Sequence, residues 1–196
     1  TCAAPLSIPQ KWPSVQVIDA SAFWSATLDP KLRLEFPSVE TLRESCFESA
    51  TVTSIDFRGS SFSTVPNGAL RIKSPGIGNL ILPETVTTVK LHAFYNWKGR
   101  RDLRFCGLPP STIDQNAFAE CDEYRECYIH VPQEPEKLAA WKADANFVAI
   151  ADIPDAETKP GWDAIKDNKR LIGTWRNKWC FTWNASPKKG LILLIQ

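Results

Sequence analysis

An aliphatic residue followed four and five positions later by a small and then a bulky residue recurs five times along this chain. The instances are Ile18 with Ala22-Phe23, Leu42 with Cys46-Phe47, Val65 with Ala69-Leu70, Val89 with Ala93-Phe94, and Ile113 with Ala117-Phe118. Their leads are separated by 24, 23, 24 and 24 residues. A constant period of this length marks stacked supersecondary units, because one such unit cannot bury its own apolar edge and a stack of them can. The bulky residue fills the centre of a coil, and the small one lets the neighbouring coil come close.

A short alternating run precedes each of these marks. It reads Leu6-Ser7-Ile8-Pro9, Leu34-Glu35-Phe36-Pro37, Ile55-Asp56-Phe57, Leu80-Ile81-Leu82-Pro83, Leu103-Arg104-Phe105 and Ile129-His130-Val131-Pro132. Apolar residues at i and i+2 make a strand with one face inward, and a following proline removes a donor and ends the ladder. Each unit therefore reads as a strand, a turn, and a short helical or irregular return. The expected architecture is an α/β solenoid of about five coils with a parallel sheet.

These residues resemble the BspA-like leucine-rich repeat family, whose pattern is a short strand closed by proline, then an aliphatic, then Ala-Phe, often with a cysteine after the ring. The stretch from Leu103 to Cys127, with Ile113, Ala117-Phe118 and Cys121, carries the pattern best. The end of the array is also similar: Ile129-His130-Val131-Pro132, then Leu138-Ala139-Ala140-Trp141, then Phe147-Val148-Ala149-Ile150. Departures are Cys46 for Ala, Leu70 for Phe, and Arg58 and Cys106 in place of proline. The resemblance covers residues 5–150. It implies a right-handed leucine-rich repeat array, without enzymatic activity, at the cell surface or outside the cell, used in adhesion or protein recognition.

Two regions follow, 1–150 as the repeat array with its closing helix and 151–196 as a capping segment. In the second, Trp175 to Trp183 alternates, with Trp175, Trp179, Phe181 and Trp183 on one side and Arg176, Lys178 and Thr182 on the other. That reads as one strand with an aromatic face, turning at 184–190 into a partner over Leu191–Ile195. The rings are either a platform for a sugar or peptide or a hairpin packed on the last coil; terminal coils need covering, which favours the cap.

In-register strands align their outward side chains across the sheet. The expected ladder is Ser7, Arg33, Glu35, Asp56, Arg58, Ile81, Arg104, Tyr128 and His130. Charges of both signs beside a tyrosine, an isoleucine and a histidine suit a protein partner, and a solvated face with internal ion pairs is the competing reading. A structural spacer within a larger surface protein is the alternative to recognition.

Other chemistry finds little support. With 23 basic and 22 acidic residues the chain has no charge bias toward nucleic acid or an anionic membrane. Six cysteines include no Cys-x-x-Cys pair and the two histidines, His92 and His130, lie far apart, so no metal ligand set is expected. The thiols read as buried small hydrophobes, with Cys121 and Cys127 close enough in sequence for a disulfide to be considered. No catalytic constellation and no cofactor motif is expected: neither histidine accompanies a Gly-x-Ser-x-Gly turn, and Gly76-Ile77-Gly78 lacks the residues of a phosphate loop. No apolar run reaches the length of a membrane span. Lys98, Arg100 and Arg101 beside Trp97 read as a solvated loop, and Asn184-Ala185-Ser186 as a weak glycosylation sequon before Pro187. The absence of methionine suggests a processed form or a fragment, and the chain is expected to be monomeric.

Overall fold

A computed structural model describes residues 8–29, 31–71, 77–97, 101–121 and 127–185. The expected strand at 6–9 is thus described only from Ile8. Ser7, Lys98, Arg100, Ser186, the strand at Leu191–Ile195 and Cys2 lie outside the described residues.

From Leu34 onward the alternating runs are strands, and they stack in chain order; Ile8 and Pro9 are not in a strand, and the first coil meets the sheet through a bridge between Lys11 and Glu35. The elements are β1 (Val17–Ile18), β2 (Arg33–Glu35), β3 (Thr41–Leu42), β4 (Val52–Asp56), β5 (Thr64–Val65), β6 (Ile77–Leu82), β7 (Thr88–Val89), β8 (Arg101–Phe105), β9 (Thr112–Ile113) and β10 (Cys127–Pro132). They continue with α1 (Pro135–Ala143), β11 (Phe147–Ala149), α2 (Trp162–Ile165), β12 (Leu171–Trp175) and β13 (Lys178–Trp183). Strands β2, β4, β6, β8 and β10 pair in parallel, one from each coil. Their inward residues Leu34, Ile55, Leu80, Leu103 and Ile129 stand side by side and are buried.

The aliphatic leads form further parallel pairings. Ile18 lies beside Leu42, and Val65 beside Val89 beside Ile113. Between these two sheets the small-bulky pairs fill the interior. Phe23 stacks on Phe47 at 4.7 Å, and Phe94 on Phe118 at 5.0 Å. The solenoid completes about four turns; the first of the expected coils is the most open, with Trp12, Val15 and Phe23 only partly buried.

The return segments are tight turns, with no helix in any coil among the described residues. Two backbone positions flank three of the bulky residues in the left-handed region: Ser21 and Ser25 around Phe23, Ser45 and Ser49 around Phe47, His92 and Asn96 around Phe94. Their amides bond to carbonyls of the next coil, as Ser25 N to Glu48 O at 2.8 Å and Ser49 N to Arg71 O at 2.8 Å. Coil-to-coil hydrogen bonding thus replaces the intrahelical ladder, which satisfies the buried backbone.

The C-terminal segment closes the array in two ways. Strand β13 adds in parallel to β10 and in antiparallel to β12, which pairs with β11, so the sheet has eight strands. The hairpin turn is Arg176-Asn177, both with positive φ (48° and 57°), as a two-residue hairpin turn requires. The single strand expected from Trp175 to Trp183 is therefore two strands. Because Trp175 pairs with Lys178, it shares the inward face with Lys178 and Cys180, opposite to Trp179, Phe181 and Trp183. Lys178, expected outward, is buried and donates to the Cys121 carbonyl at 3.3 Å.

Trp175 and Trp141 of α1 plug the end of the coil interior. Their rings lie 5.2 Å apart, and both pack on Phe105. Each indole N–H is satisfied: Trp141 by the Gly107 carbonyl at 3.0 Å and Trp175 by Asp144 at 3.0 Å. Gly107 itself lies close against the preceding coil, where a Cβ would strike the Glu84 carbonyl.

Candidate functional site

Two outward rows run across the sheet. In the first, Glu35 lies beside Asp56, Asp56 beside Ile81, Ile81 beside Arg104, Arg104 beside His130, and His130 beside Phe181. In the second, Arg33 lies beside Ser54, Asn79, Asp102 and Tyr128 in turn. Of the expected ladder, Arg33, Glu35, Asp56, Ile81, Arg104, Tyr128 and His130 stand in these rows; Arg58 follows the end of β4 and stands in neither, and Ser7 lies outside the described residues. Ser54, Asn79 and Asp102 were not anticipated; each sits two residues before an expected member, so carrying the alternation one step further back along each strand finds them.

Polar groups within the rows are tied to one another. Asn79 Nδ2 donates to Ser54 Oγ at 2.9 Å, and Arg104 donates to Asn79 Oδ1. Arg104 also lies 3.5 Å from the Asp102 carboxylate, whose other oxygen is 2.8 Å from His130 Nε2. Glu35 and Asp56 are like charges on adjacent strands, which is unfavourable alone. Arg58 reaches back over them, its Nε 2.9 Å and its terminal nitrogen 2.5 Å from Asp56 Oδ2. The hydrogen bond to Asp56 raises the Arg58 pKa further, outweighing partial burial.

Burial, the larger effect, lowers the His130 pKa below its ordinary value, against the hydrogen bond to the Asp102 carboxylate that raises it. The imidazole is therefore neutral at pH 7, and its ring stacks on Phe181 with centroids 5.4 Å apart.

Part of the ladder is covered. Ile81 is only 7% exposed, packed with Cys106, Trp183 and Ala185. Tyr128 is also 7% exposed, held against Phe181 in a cluster with Ile153, Ala156, Ile165 and Trp179. The expectation that these two residues present themselves to solvent is corrected: the segment after β11 folds over the outer face, and large rings of β13 reach across its neighbours. Trp183 illustrates the reach, donating its indole N–H to the Phe105 carbonyl on β8 at 2.8 Å. Trp179 donates to the Pro160 carbonyl at 3.0 Å.

The same packing removes the aromatic platform considered for sugars, because Trp175, Trp179 and Trp183 are all buried. What stays accessible is Arg33, which is exposed, and the half-buried Glu35, Asp56, Arg58, Asp102 and Arg104. Beside the cap lies a cavity of about 260 Å³ lined by Arg104, His130, Asn168, Arg170, Phe181, Trp183 and Asn184.

Other residues singled out from the sequence fall elsewhere. Arg101 is not in a solvated loop; it opens β8, is buried, and donates to the Ile77 carbonyl at 2.7 Å. Trp97 beside it is buried, its indole bonded to the Leu70 carbonyl. His92 lies edge-on to Tyr95, away from His130. Cys46, Cys106, Cys127 and Cys180 are buried free thiols and Cys121 is a half-buried one, so the Cys121–Cys127 pair is not bridged. Burial raises the Cys46 and Cys106 thiols to about 12 and pushes Cys127 and Cys180 up as well. Among the described residues no group of His, Cys, Asp or Glu is placed to hold a metal ion, and no helix is long and apolar enough to cross a membrane.

Six copies of the BspA type leucine rich repeat region match residues 5–130. The chain belongs to the BspA-type leucine-rich repeat family. The matched span covers the coils up to β10, and α1 with β11 to β13 lies beyond it. No curated protein and no solved structure matches the chain.

Proposed function

We propose that this BspA-type chain is a cell-surface or secreted recognition module, without catalytic activity, that binds a protein ligand through the outer face of its parallel sheet. The observation that carries this reading is the polar network from Ser54 through Asn79, Arg104 and Asp102 to His130, in which side chains on four adjacent strands fix one another. A preorganised polar surface binds without the ordering cost that long flexible side chains would add. Arg33, Glu35, Asp56 and Arg58 form its open part. The cavity between Arg104 and Arg170 accepts an acidic side chain of the ligand, with Phe181 and Trp183 as its apolar walls. Ile81 and Tyr128 contribute by holding the cap, not by contact.

The test uses the whole chain against a panel of purified extracellular proteins immobilised on a sensor surface. Specific binders should lose affinity by roughly tenfold or more with Asp56→Lys or Arg104→Glu, the scale of losing a paired interfacial charge. Lys90→Glu, on the opposite arc, should bind as the unaltered protein does. Equal affinity for all of these would leave the sheet face without a role in binding, as a spacer would have it.

A further inference from the structure

On the return arc, away from the sheet face, one row of side chains follows directly after the core residues Phe23, Phe47, Leu70 and Phe94. It consists of Trp24, Glu48, Arg71 and Tyr95. Trp24 is 60% exposed, the most exposed large apolar side chain among the described residues.

The rest of the row is held in place. Arg71 lies 3.6 Å from the Glu48 carboxylate and 4.6 Å above the centre of the Tyr95 ring. His92 braces the other side of Tyr95 at 5.0 Å. Together with Ser25, Ser49 and Asn96, these residues line a groove of about 360 Å³. With coils spaced by about 4.8 Å, Trp24 and Tyr95 stand about 14 Å apart along the groove, three coils from end to end.

We propose that this groove binds a short neutral oligosaccharide. Its one carboxylate and one guanidinium balance, which gives an anionic ligand no advantage. The exposed Trp24 ring offers an apolar face to the C–H side of a sugar, and the carboxylate, guanidinium, phenol, amide and hydroxyl groups along the groove match sugar hydroxyls. An extended peptide would need backbone partners. The arc's amides at Ser25, Ser49 and Asn96 are already bonded to carbonyls of the next coil. The groove is also of small-ligand size, well short of a protein footprint.

The test is a titration of the full chain with short malto-, cello-, xylo- and chito-oligosaccharides, read by protection of indole fluorescence from iodide. At least one series should give saturable protection. Trp24→Ala should abolish that protection with no change in thermal stability, because the ring is exposed. Binding to a column of the same sugar, which does not depend on the indole signal, should fall by roughly tenfold or more in Trp24→Ala, the loss typical of truncating an anchoring ring. Arg104→Glu on the sheet face should leave sugar binding unchanged, so failure here and failure of the sheet-face reading are separable. The proposal is overturned if no series binds, if Trp24→Ala is retained on the column like the unaltered protein, or if only peptides protect Trp24.

Discussion

Phe94→Ala removes the ring at the centre of an interior coil. The side chain is fully buried. It stacks on Phe118 at 5.0 Å and meets Trp97 edge-to-face at 5.4 Å. Burial of a phenylalanine contributes about 1.5–3 kcal/mol. The cavity adds to this, because Trp97 is anchored through its indole to the Leu70 carbonyl and cannot collapse into the space. The total is about 3–5 kcal/mol. Urea unfolding followed by fluorescence, with a slope of about 2–3 kcal/mol per molar for a domain of this size, should show a midpoint lower by about 1.5 M. Phe23→Ala, at the open first coil, is the control. Its ring is only partly buried, so about half of that loss is expected. A loss below about 1 kcal/mol at Phe94, or a larger one at Phe23 than at Phe94, would refute the stacking order.

Three further outcomes follow from single groups. His130 has its pKa lowered by burial, so between pH 6.5 and the folded value the unfolded chain holds the extra proton. Stability from this group is full above pH 6.5 and falls as the solution is acidified; His130→Asn should flatten that part of the stability-pH curve, and an unchanged slope would contradict the assignment. Cys46, Cys106, Cys127 and Cys180, with thiols raised by burial, should resist iodoacetamide at pH 8 in the folded protein while half-buried Cys121 reacts first. Labelling of all five at one rate would show that the coils open. Gly107→Ala should lower the thermal midpoint by several degrees, because its Cβ would strike the Glu84 carbonyl and force apart the two coils that meet there; a midpoint equal to that of the unaltered protein would contradict this packing.

The solenoid was legible in the sequence because two independent marks, the alternating strand and the small-bulky pair, keep one period. The outward ladder followed from alternation alone, which gave Glu35, Asp56, Arg104 and His130 their places. Two features escaped. The hairpin was misread because aromatic residues at 175, 179, 181 and 183 share one parity in sequence, whereas the Arg176-Asn177 turn reverses the face on which Trp175 lies. Neither turn residue is glycine, so the usual hairpin signal is missing. The coverage of Ile81 and Tyr128 was invisible for a different reason: it depends on residues 150–185 folding over strands from earlier coils. No local pattern encodes a contact of that separation.

The claim that recognition uses the sheet face is tested most directly by carboxyl footprinting with and without a bound protein ligand. Carbodiimide labelling should fall at Glu35 and Asp56 in the complex and stay unchanged at Glu44 and Asp114 on the return arc. Protection of Glu44 and Asp114 with Glu35 and Asp56 still open would place the ligand elsewhere and contradict the sheet face as the binding surface.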